Sequence, residues 1–393
     1  MIRTLLFSTL YPNSVRPSHG IFVETRLRHL LASGEVETRV VAPVPWFPFK
    51  QSRFGLYAKH AAVPDHEKWN NNNVSHPRYL LLPKIGMNQA PASLARTGLS
   101  AARKLIDDGY DFDLIDAHYF YPDGVAATMI GKALNKPVVI TARGSDINLI
   151  PQYEKPRRMI LQAAADCAAI ITVSSALKDS IVSLGVTASK INVLRNGVDL
   201  DLFFPGDRAQ ARAKQGVTRY TLASVGNLIP EKGHHLAIEA LHDLPDTELL
   251  IAGGGPEEAR LKMLASSLGV ADRVKFLGVL RQAELRSLYS AADVLVLASA
   301  REGWPNVLLE AMACGTPVAA PAVGGVAEIV GAPESGVLLD ERSAGGIVRG
   351  ITHLREALPS RSATRAYAEQ FGWHPTTEGQ LALFRRVLDA DAG

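Results

Sequence analysis

Two carboxylates with seven residues between them, Glu302 and Glu310, bracket a Gly-Trp-Pro turn in the string EGWPNVLLEAMACGTPV. A carboxylate accepts hydrogen bonds from paired hydroxyls, which is what sugars and riboses present. Just upstream, Val294 to Ala298 is a short apolar run that reads as a buried parallel strand. Gly303 lets backbone approach a ligand closely, and Pro305 suits a first helical turn, where its missing N–H would be unpaired anyway. A helix is predicted from about Asn306 to Ala313. Its first amides (Asn306, Val307, Leu308) and positive dipole end would stabilise a phosphate or an electron-rich oxygen above the strand. Glu302 in the loop and Glu310 inside the helix could then reach different parts of one elongated ligand. The bland alternative has Glu302 capping the helix and Glu310 solvated on its surface. The string as a whole points to a sugar-nucleotide site.

Other residues with chemical potential also follow apolar runs. In GNLIPEKGHH, Gly226 to His235, Lys232 sits where a helix begins, so its ammonium and nearby amides could share a diphosphate. Gly253, Gly254 and Gly255 follow the run before them directly, but Glu258 takes the last glycine place of a dinucleotide fingerprint, and a tight turn explains the cluster equally well. In the first half, Ser18-His19-Gly20 precedes a probable helix through Leu31. His118 ends the strand-like LIDAH, and Arg143, Gly144, Ser145 and Asp146 follow another strand end. The pairs Asp111/Asp113, Asp199/Asp201 and Asp389/Asp391 fall away from strand ends and read as solvated, so no metal site is expected. A nucleophile elbow of the G-x-S-x-G type is missing.

The elements that must position these residues alternate. Strand-like runs at Thr4–Ser8, Arg39–Ala42, Leu114–Ala117, Val138–Thr141, Ile170–Val173 and Ile191–Leu194 are separated by helical stretches. A second series follows at Thr221–Val225, Glu248–Ala252, Val274–Leu277, Val294–Leu297, Val318–Ala320 and Val337–Leu339. Two such series in 393 residues mean two doubly wound α/β domains with parallel sheets, whose ligands bind outside the carboxyl ends of the strands. The polar, turn-rich stretch 196–217 reads as the linker, and Asn70–Asn73 as a loop. Cys167 and Cys314 read as small buried hydrophobes. No run approaches membrane-spanning length and no leader is apparent, so a cytoplasmic protein is expected. Residues 1–195 hold 23 Lys and Arg against 15 Asp and Glu, whereas 196–393 hold 19 against 24. The basic half could face an anionic membrane or a phosphorylated acceptor, or be ordinary solvated surface. Nucleic acid is not expected as a partner.

On the strings EGWPNVLLEAMACGTPVAAPAVGGVAEIV, PEKG (Pro230–Gly233), NGVD (Asn196–Asp199) and GGGPEE, the chain resembles bacterial family-4 retaining glycosyltransferases of the GT-B fold. Its opening STLYPNSVRPSHGIFVETRLRHL is similar to enzymes that build exopolysaccharide, capsule or teichuronic-type polymers. The resemblance implies an N-terminal Rossmann-like acceptor-side domain at 1–200, a donor domain at 201–372, and a C-terminal helix at 373–393 that could cross back, with the two domains facing across a cleft.

It further implies that Lys232 binds the donor diphosphate, Glu310 the ribose and Glu302 the transferred sugar, with amides around Gly303, Trp304, Asn306 and Val307 holding sugar and phosphate oxygens. Gly20 would admit the diphosphate, and His118 would touch the sugar near the reacting centre. His19, Arg143 and Asp146 are acceptor-side candidates. Asn227 stands where the family often has Arg, and Arg143, where His is frequent, could restore the missing cation.

The implied reaction is metal-independent transfer with retention, from a UDP- or GDP-sugar to a glycan or lipid-linked glycan, without a cofactor. A sugar-nucleotide epimerase and a non-catalytic sugar-nucleotide binder are the competing readings. Acceptor choice is expected in Pro43 to His60, whose aromatic and basic residues could lie on a membrane or pack under a surface loop.

Overall fold

The computed structural model describes residues 1–81 and 86–391, so the last two residues of the expected C-terminal segment lie outside it. The chain forms two compact units, one of residues 1–195 with 374–393 and the other of residues 196–373.

In the first unit the strands are β1 (Ile2–Phe7), β2 (Val36–Val41), β3 (Val44–Pro45), β4 (His66–Trp69), β5 (Asn72–Ser75), β6 (Arg78–Tyr79), β7 (Leu114–His118), β8 (Val138–Ala142), β9 (Ala169–Thr172) and β10 (Ile191–Val193). Its first seven helices are α1 (Ile21–Ala32), α2 (Leu56–Ala62), α3 (Ala90–Asp107), α4 (Val125–Leu134), α5 (Ser145–Asn148), α6 (Glu154–Asp166) and α7 (Ser175–Ser183). The main sheet runs β10-β9-β8-β7-β1-β2-β5-β4, parallel except for β4 against β5. Strands β7, β8 and β9 are buried at every position, as expected of strands covered on both faces. Strand order reverses at β1, which lies between β2 and β7, so the switch point sits at the carboxyl ends of β1 and β7.

One expectation fails here. Asn70–Asn73 is not a plain loop: Asn70 and Asn71 take positive φ (44° and 67°) and turn the β4–β5 hairpin, while Asn72 and Asn73 belong to β5. Two-residue hairpin turns need positive φ, which Asn tolerates better than most residues.

The second unit contains β11 (Tyr220–Val225), β12 (Thr247–Ala252), β13 (Val274–Phe276), β14 (Val294–Val296), β15 (Val318–Pro321) and β16 (Gly336–Leu339), in the all-parallel order β13-β12-β11-β14-β15-β16. Its helices are α8 (Arg208–Gln215), α9 (His234–Ala240), α10 (Glu258–Ser267), α11 (Gln282–Ala291), α12 (Asn306–Ala313), α13 (Val326–Ile329), α14 (Ala344–Glu356) and α15 (Arg361–Ala368). The expected linker at 196–217 is corrected by α8, which is part of this unit. Asp207 caps α8 by accepting from the Gln210 amide at 3.0 Å, and Arg212 reaches Asp293 at 3.3 Å. Here the reversal lies at β11, between β12 and β14.

The last helix, α16 (His374–Asp391), returns to the first unit, where Leu381, Phe384 and Val387 join Leu30, Leu114, Val139 and Ile171 in one core. Burying three such side chains contributes about 1.5–3 kcal/mol each.

Candidate functional site

In the second unit, three loops leave the carboxyl ends of β11, β14 and β15 and pack backbone against backbone. Glycine permits this. Gly233, with φ +69°, closes the short turn Pro230–Lys232, and a Cβ there would lie 2.1 Å from the Ala298 carbonyl oxygen. Gly324, with φ +53°, would place a Cβ 1.8 Å from the Glu302 carbonyl oxygen. The Ala300 amide donates to the Glu231 carbonyl at 2.8 Å, tying the β11 and β14 loops together.

This brings Lys232 and Glu302, which the sequence places 70 residues apart, to 2.6 Å between Nζ and Oε1, with Glu302 mostly shielded and Lys232 half-buried. Glu302 is therefore not a helix cap. It is the counter-ion of Lys232, so a diphosphate reaching that ammonium would compete with it.

Glu310 lies on α12. It is not solvated on the surface: its Oε2 accepts from the buried Tyr289 hydroxyl of α11 at 2.9 Å, and burial pushes its carboxyl up to about 7 against that hydrogen bond. A raised carboxyl pKa means that the folded state holds a proton the unfolded chain has released. Stability from this group is thus greatest in acid and is lost as pH rises from about 4.5 to about 7. The loss is of the order of 3 kcal/mol at most. We expect the difference in unfolding free energy between wild type and Glu310→Gln to change across that interval and to be flat above it. A difference independent of pH in denaturant titrations would refute the shifted carboxyl.

The remaining donor-side candidates take several roles. Trp304 is buried and its indole donates to the Asn196 carbonyl at 2.9 Å, while Asn306 Oδ1 accepts from the Asn196 side chain at 3.4 Å. These two side chains hold the start of the unit in place, whereas Gly303 and Val307 leave backbone at the mouth of α12. Asn227 is exposed after β11, and the Leu228 amide beside it donates to the Gly254 carbonyl at 3.0 Å. The glycine cluster serves that packing: a Cβ on Gly253 would lie 1.8 Å from the Gly226 oxygen, and one on Gly255 2.4 Å from the Leu228 oxygen.

The first unit gathers a separate charged cluster at its own switch point. Arg143 donates to His118 Nδ1 at 2.5 Å, so the ring accepts there and its Nε2–H faces Asp116 Oδ2 at 3.3 Å. The same Asp116 oxygen accepts from Gln380 of α16 at 3.0 Å, and Gln380 in turn accepts from Arg26 of α1 at 2.7 Å. Burial lowers His118 to about 4, so its ring is neutral at pH 7. Burial opposes ionisation of Asp116, but His118, Arg26 and Arg143 outweigh it and hold the carboxylate low. Both His118 nitrogens are engaged, and any ligand bond to the ring must displace Asp116 or Arg143.

Arg143 is committed to His118 and stacks 5.2 Å over Phe22. Asp146 accepts the amides of Phe120 (2.6 Å), Gly144 (2.7 Å) and Arg143 (3.1 Å), which makes it a loop organiser. His19 accepts from Arg16 at 2.8 Å and donates to the Thr9 carbonyl at 3.0 Å. Gly20 caps α1 with φ +66°, and a Cβ would lie 2.3 Å from the Leu10 carbonyl, so the chain itself requires glycine there.

Sequence reasoning missed Tyr289, Arg26, Gln380 and Gly324. It also missed Asp116, which of these five alone carried a signal, an acid in the middle of a buried strand. Among the described residues no three His, Cys, Asp or Glu side chains gather as a metal centre, and Cys167 and Cys314 are buried free thiols.

The chain as a whole matches known proteins. Residues 25–202 match the Glycosyltransferase Family 4 model and residues 207–371 the model of Glycosyl transferases group 1. The chain belongs to this glycosyltransferase family and is a transferase. The D-inositol 3-phosphate glycosyltransferase of Mycolicibacterium smegmatis is 32% identical over 77% of this chain and 74% of that protein. Its counterpart in Mycobacterium tuberculosis (strain ATCC 25177 / H37Ra) is also 32% identical, but the chain spans only 65% of that relative's length.

Two solved structures show the fold. Sucrose-phosphate synthase from Thermosynechococcus elongatus superposes with a TM-score of 0.80 at 20% identity, covering 99% of this chain and 100% of that one. Anabaena HepE in complex with UDP and glucose gives 0.73 at 22% identity over 97% and 98%. The fold is GT-B, two Rossmann-like domains with parallel sheets.

Proposed function

We propose that the chain is a retaining, metal-independent hexosyltransferase. It would move a sugar from a UDP- or GDP-sugar to a hydroxyl of a glycan or lipid-linked glycan in cell-surface polysaccharide synthesis. The observation that carries this reading is the Lys232–Glu302 pair at the switch point of the second unit, supported by the Tyr289–Glu310 hydrogen bond between α11 and α12 of the same unit. Lys232 and the amides at the start of α12 stabilise the leaving diphosphate, Glu310 takes the ribose hydroxyls, and Glu302 turns from Lys232 to the transferred sugar. The acceptor hydroxyl attacks from the face that the diphosphate leaves, and the departing phosphate oxygen takes its proton. The protein's contribution is charge stabilisation and positioning. The relatives named for D-inositol 3-phosphate make a phosphorylated polyol a second acceptor class to test.

The test is acceptor-dependent release of nucleoside diphosphate from a panel of sugar nucleotides. An α-linked donor should yield an α-linked product, and EDTA should leave turnover largely unchanged. Rescue of EDTA-treated enzyme by magnesium or manganese, or a β-linked product by NMR coupling constants, would sink the mechanism. Release without an acceptor-linked product would favour a competing reading.

We also propose that the loop and helix from Val44 to Ala62 rest on the inner face of an anionic membrane. Phe47, Phe49, Phe54 and Tyr57 form an aromatic cluster, Trp46, Phe49, Leu56 and Tyr57 are each roughly half exposed, and the segment carries Lys50, Arg53 and Lys59 with no acidic residue. No described helix is long and apolar enough to cross a membrane. The protein should pellet with anionic liposomes at low salt and be released at high salt, where the Debye length shrinks to about 3 Å. Retention in the supernatant at low salt would remove this surface.

A further inference from the structure

The sheet edge of the first unit has two unlike faces. Val40 and Val74, paired across β2 and β5, pack with Val23 and Leu27 of α1. Neighbouring positions point the other way because strand side chains alternate. On that opposite face Val41 pairs with Ser75, Ser75 with His66 and Asn73 with Lys68, and Arg39 comes two residues before Val41 on the same strand. The second half of α3 faces this polar surface with Thr97, Ser100, Ala101, Lys104 and Leu105. Long, hydrated side chains do not interdigitate as a core would, and a groove of about 840 Å³ remains between helix and strands. That lies within the range of roughly 300–1,000 Å³ usual for small-molecule sites.

Four Lys and Arg side chains (Arg39, Lys68, Arg78 and Lys104) line the groove against three carboxylates (Asp65, Glu67 and Asp108). Glu67 is hydrogen-bonded by His76 at 2.8 Å and by the Ser14 amide at 3.1 Å, and Arg78 meets the largely exposed Asp65 at 3.3 Å. Lys104 and Asp108 meet at 3.3 Å with both side chains largely in water, a pairing of little strength. Arg39 pairs with Glu37 at 3.1 Å and lies 4.5 Å over the Tyr110 ring, which holds its guanidinium in place. Lys68 has no ion pair among the described residues. Between these cations the groove offers the hydroxyls of Ser75, Ser100 and Thr97 and the amide of Asn73, with Ala101 and Leu105 as a small apolar wall. None of these residues belongs to the His118 cluster or to the donor site.

We propose that this groove is a second carbohydrate site that binds a sugar carrying a carboxylate or a phosphate. Lys68 and Lys104 meet the anion, the hydroxyl and amide groups meet sugar hydroxyls, and the Ala101–Leu105 wall meets the C–H face. Two sources fit this chemistry, an acidic polysaccharide chain and a free sugar phosphate.

The test is titration calorimetry of the whole chain at low salt with a glucuronate oligomer, glucose 6-phosphate, glucose and inorganic phosphate. Either acidic sugar should bind with Kd below about 1 mM, and glucose and phosphate far more weakly. Lys68→Glu/Lys104→Glu should weaken that binding at least about tenfold while leaving nucleoside diphosphate affinity unchanged. Ser100→Trp, which fills the groove without changing charge, should also abolish it. Preference for the oligomer assigns the site to a polymer, and preference for the phosphate assigns it to a metabolite. The proposal fails if neither acidic sugar binds, if phosphate alone binds as well as its sugar ester, if the charge-reversed variant binds normally, or if UDP or GDP displaces the probe.

Discussion

With Lys232 in the proposed donor role, Lys232→Ala should lower kcat/KM for the sugar nucleotide by about 10²- to 10³-fold, the loss typical of removing one group that stabilises charge developing on a leaving oxygen. The ammonium sits 2.6 Å from Glu302, so its removal also leaves a shielded carboxylate without a counter-ion. Two consequences separate this from simple misfolding. The thermal transition of Lys232→Ala should fall only in so far as Glu302 is left unpaired and should return toward that of wild type in Lys232→Ala/Glu302→Gln, whereas kcat/KM should not. The double variant Lys232→Ala/Glu302→Gln should cost less than the sum of the single losses, because paired groups are not additive. A Lys232→Ala enzyme within threefold of wild type would remove Lys232 from the chemistry and leave it a loop-tying residue.

A single methyl group should produce the second large effect. Gly324→Ala places a Cβ 1.8 Å from the Glu302 carbonyl oxygen at a φ of +53°, so the β15 loop must retreat from the β14 loop. Overpacking and backbone strain each cost about 1–3 kcal/mol, which lowers the Tm of the second unit by roughly 4–24 °C. Donor affinity should fall with it, because the displaced backbone carries Glu302. The control is Gly269→Ala, also at positive φ (+68°) but with nothing within 4 Å of the added carbon. It should cost only the backbone preference, about 1–2 kcal/mol. Equal losses at the two positions, followed by calorimetry, would show that the close approach at Gly324 does not matter.

The twelve short, mostly apolar runs of the sequence all became parallel strands, because most strands of a doubly wound sheet are covered on both faces and such runs are legible without partners; the partly exposed edge strands β10, β13 and β16 kept enough apolar residues to be read as well. The β4–β5 hairpin escaped for the converse reason: His66, Lys68, Asn72 and Asn73 are polar, and only the positive φ of two asparagines marks the turn. Helix α8 was hidden in a polar stretch because its burial rests on Ala211 and the ion pairs of Arg208 and Arg212 with Asp293, which lies 81 residues beyond Arg212.

At the site, local strings identified Lys232, Glu302, Glu310 and His118 as candidates, since Lys232 and Glu302 lie in loops after strands, Glu310 just over one turn inside a helix and His118 at a strand end. What surrounds them was illegible. The Lys232–Glu302 pairing, the Tyr289 hydroxyl behind Glu310 and the Gln380 bridge between Arg26 and Asp116 are contacts between distant segments, and no spacing rule encodes them.

The return of α16 has a consequence for biosynthesis. Asp116 leaves the ribosome 264 residues before Gln380 and Arg26 leaves 354 residues before it. At roughly 5–20 residues per second, Asp116 waits on the order of 13–53 s for that partner. During that interval the inserted second unit, continuous from Asn196 to Trp373, is synthesised in full and can close its own sheet. The first unit, begun earlier, is sealed last. A chain stalled before Gln380 should therefore present a folded second unit beside a first unit whose charged cluster is still open, and nascent-chain proteolysis should cut the earlier half in preference to the later one.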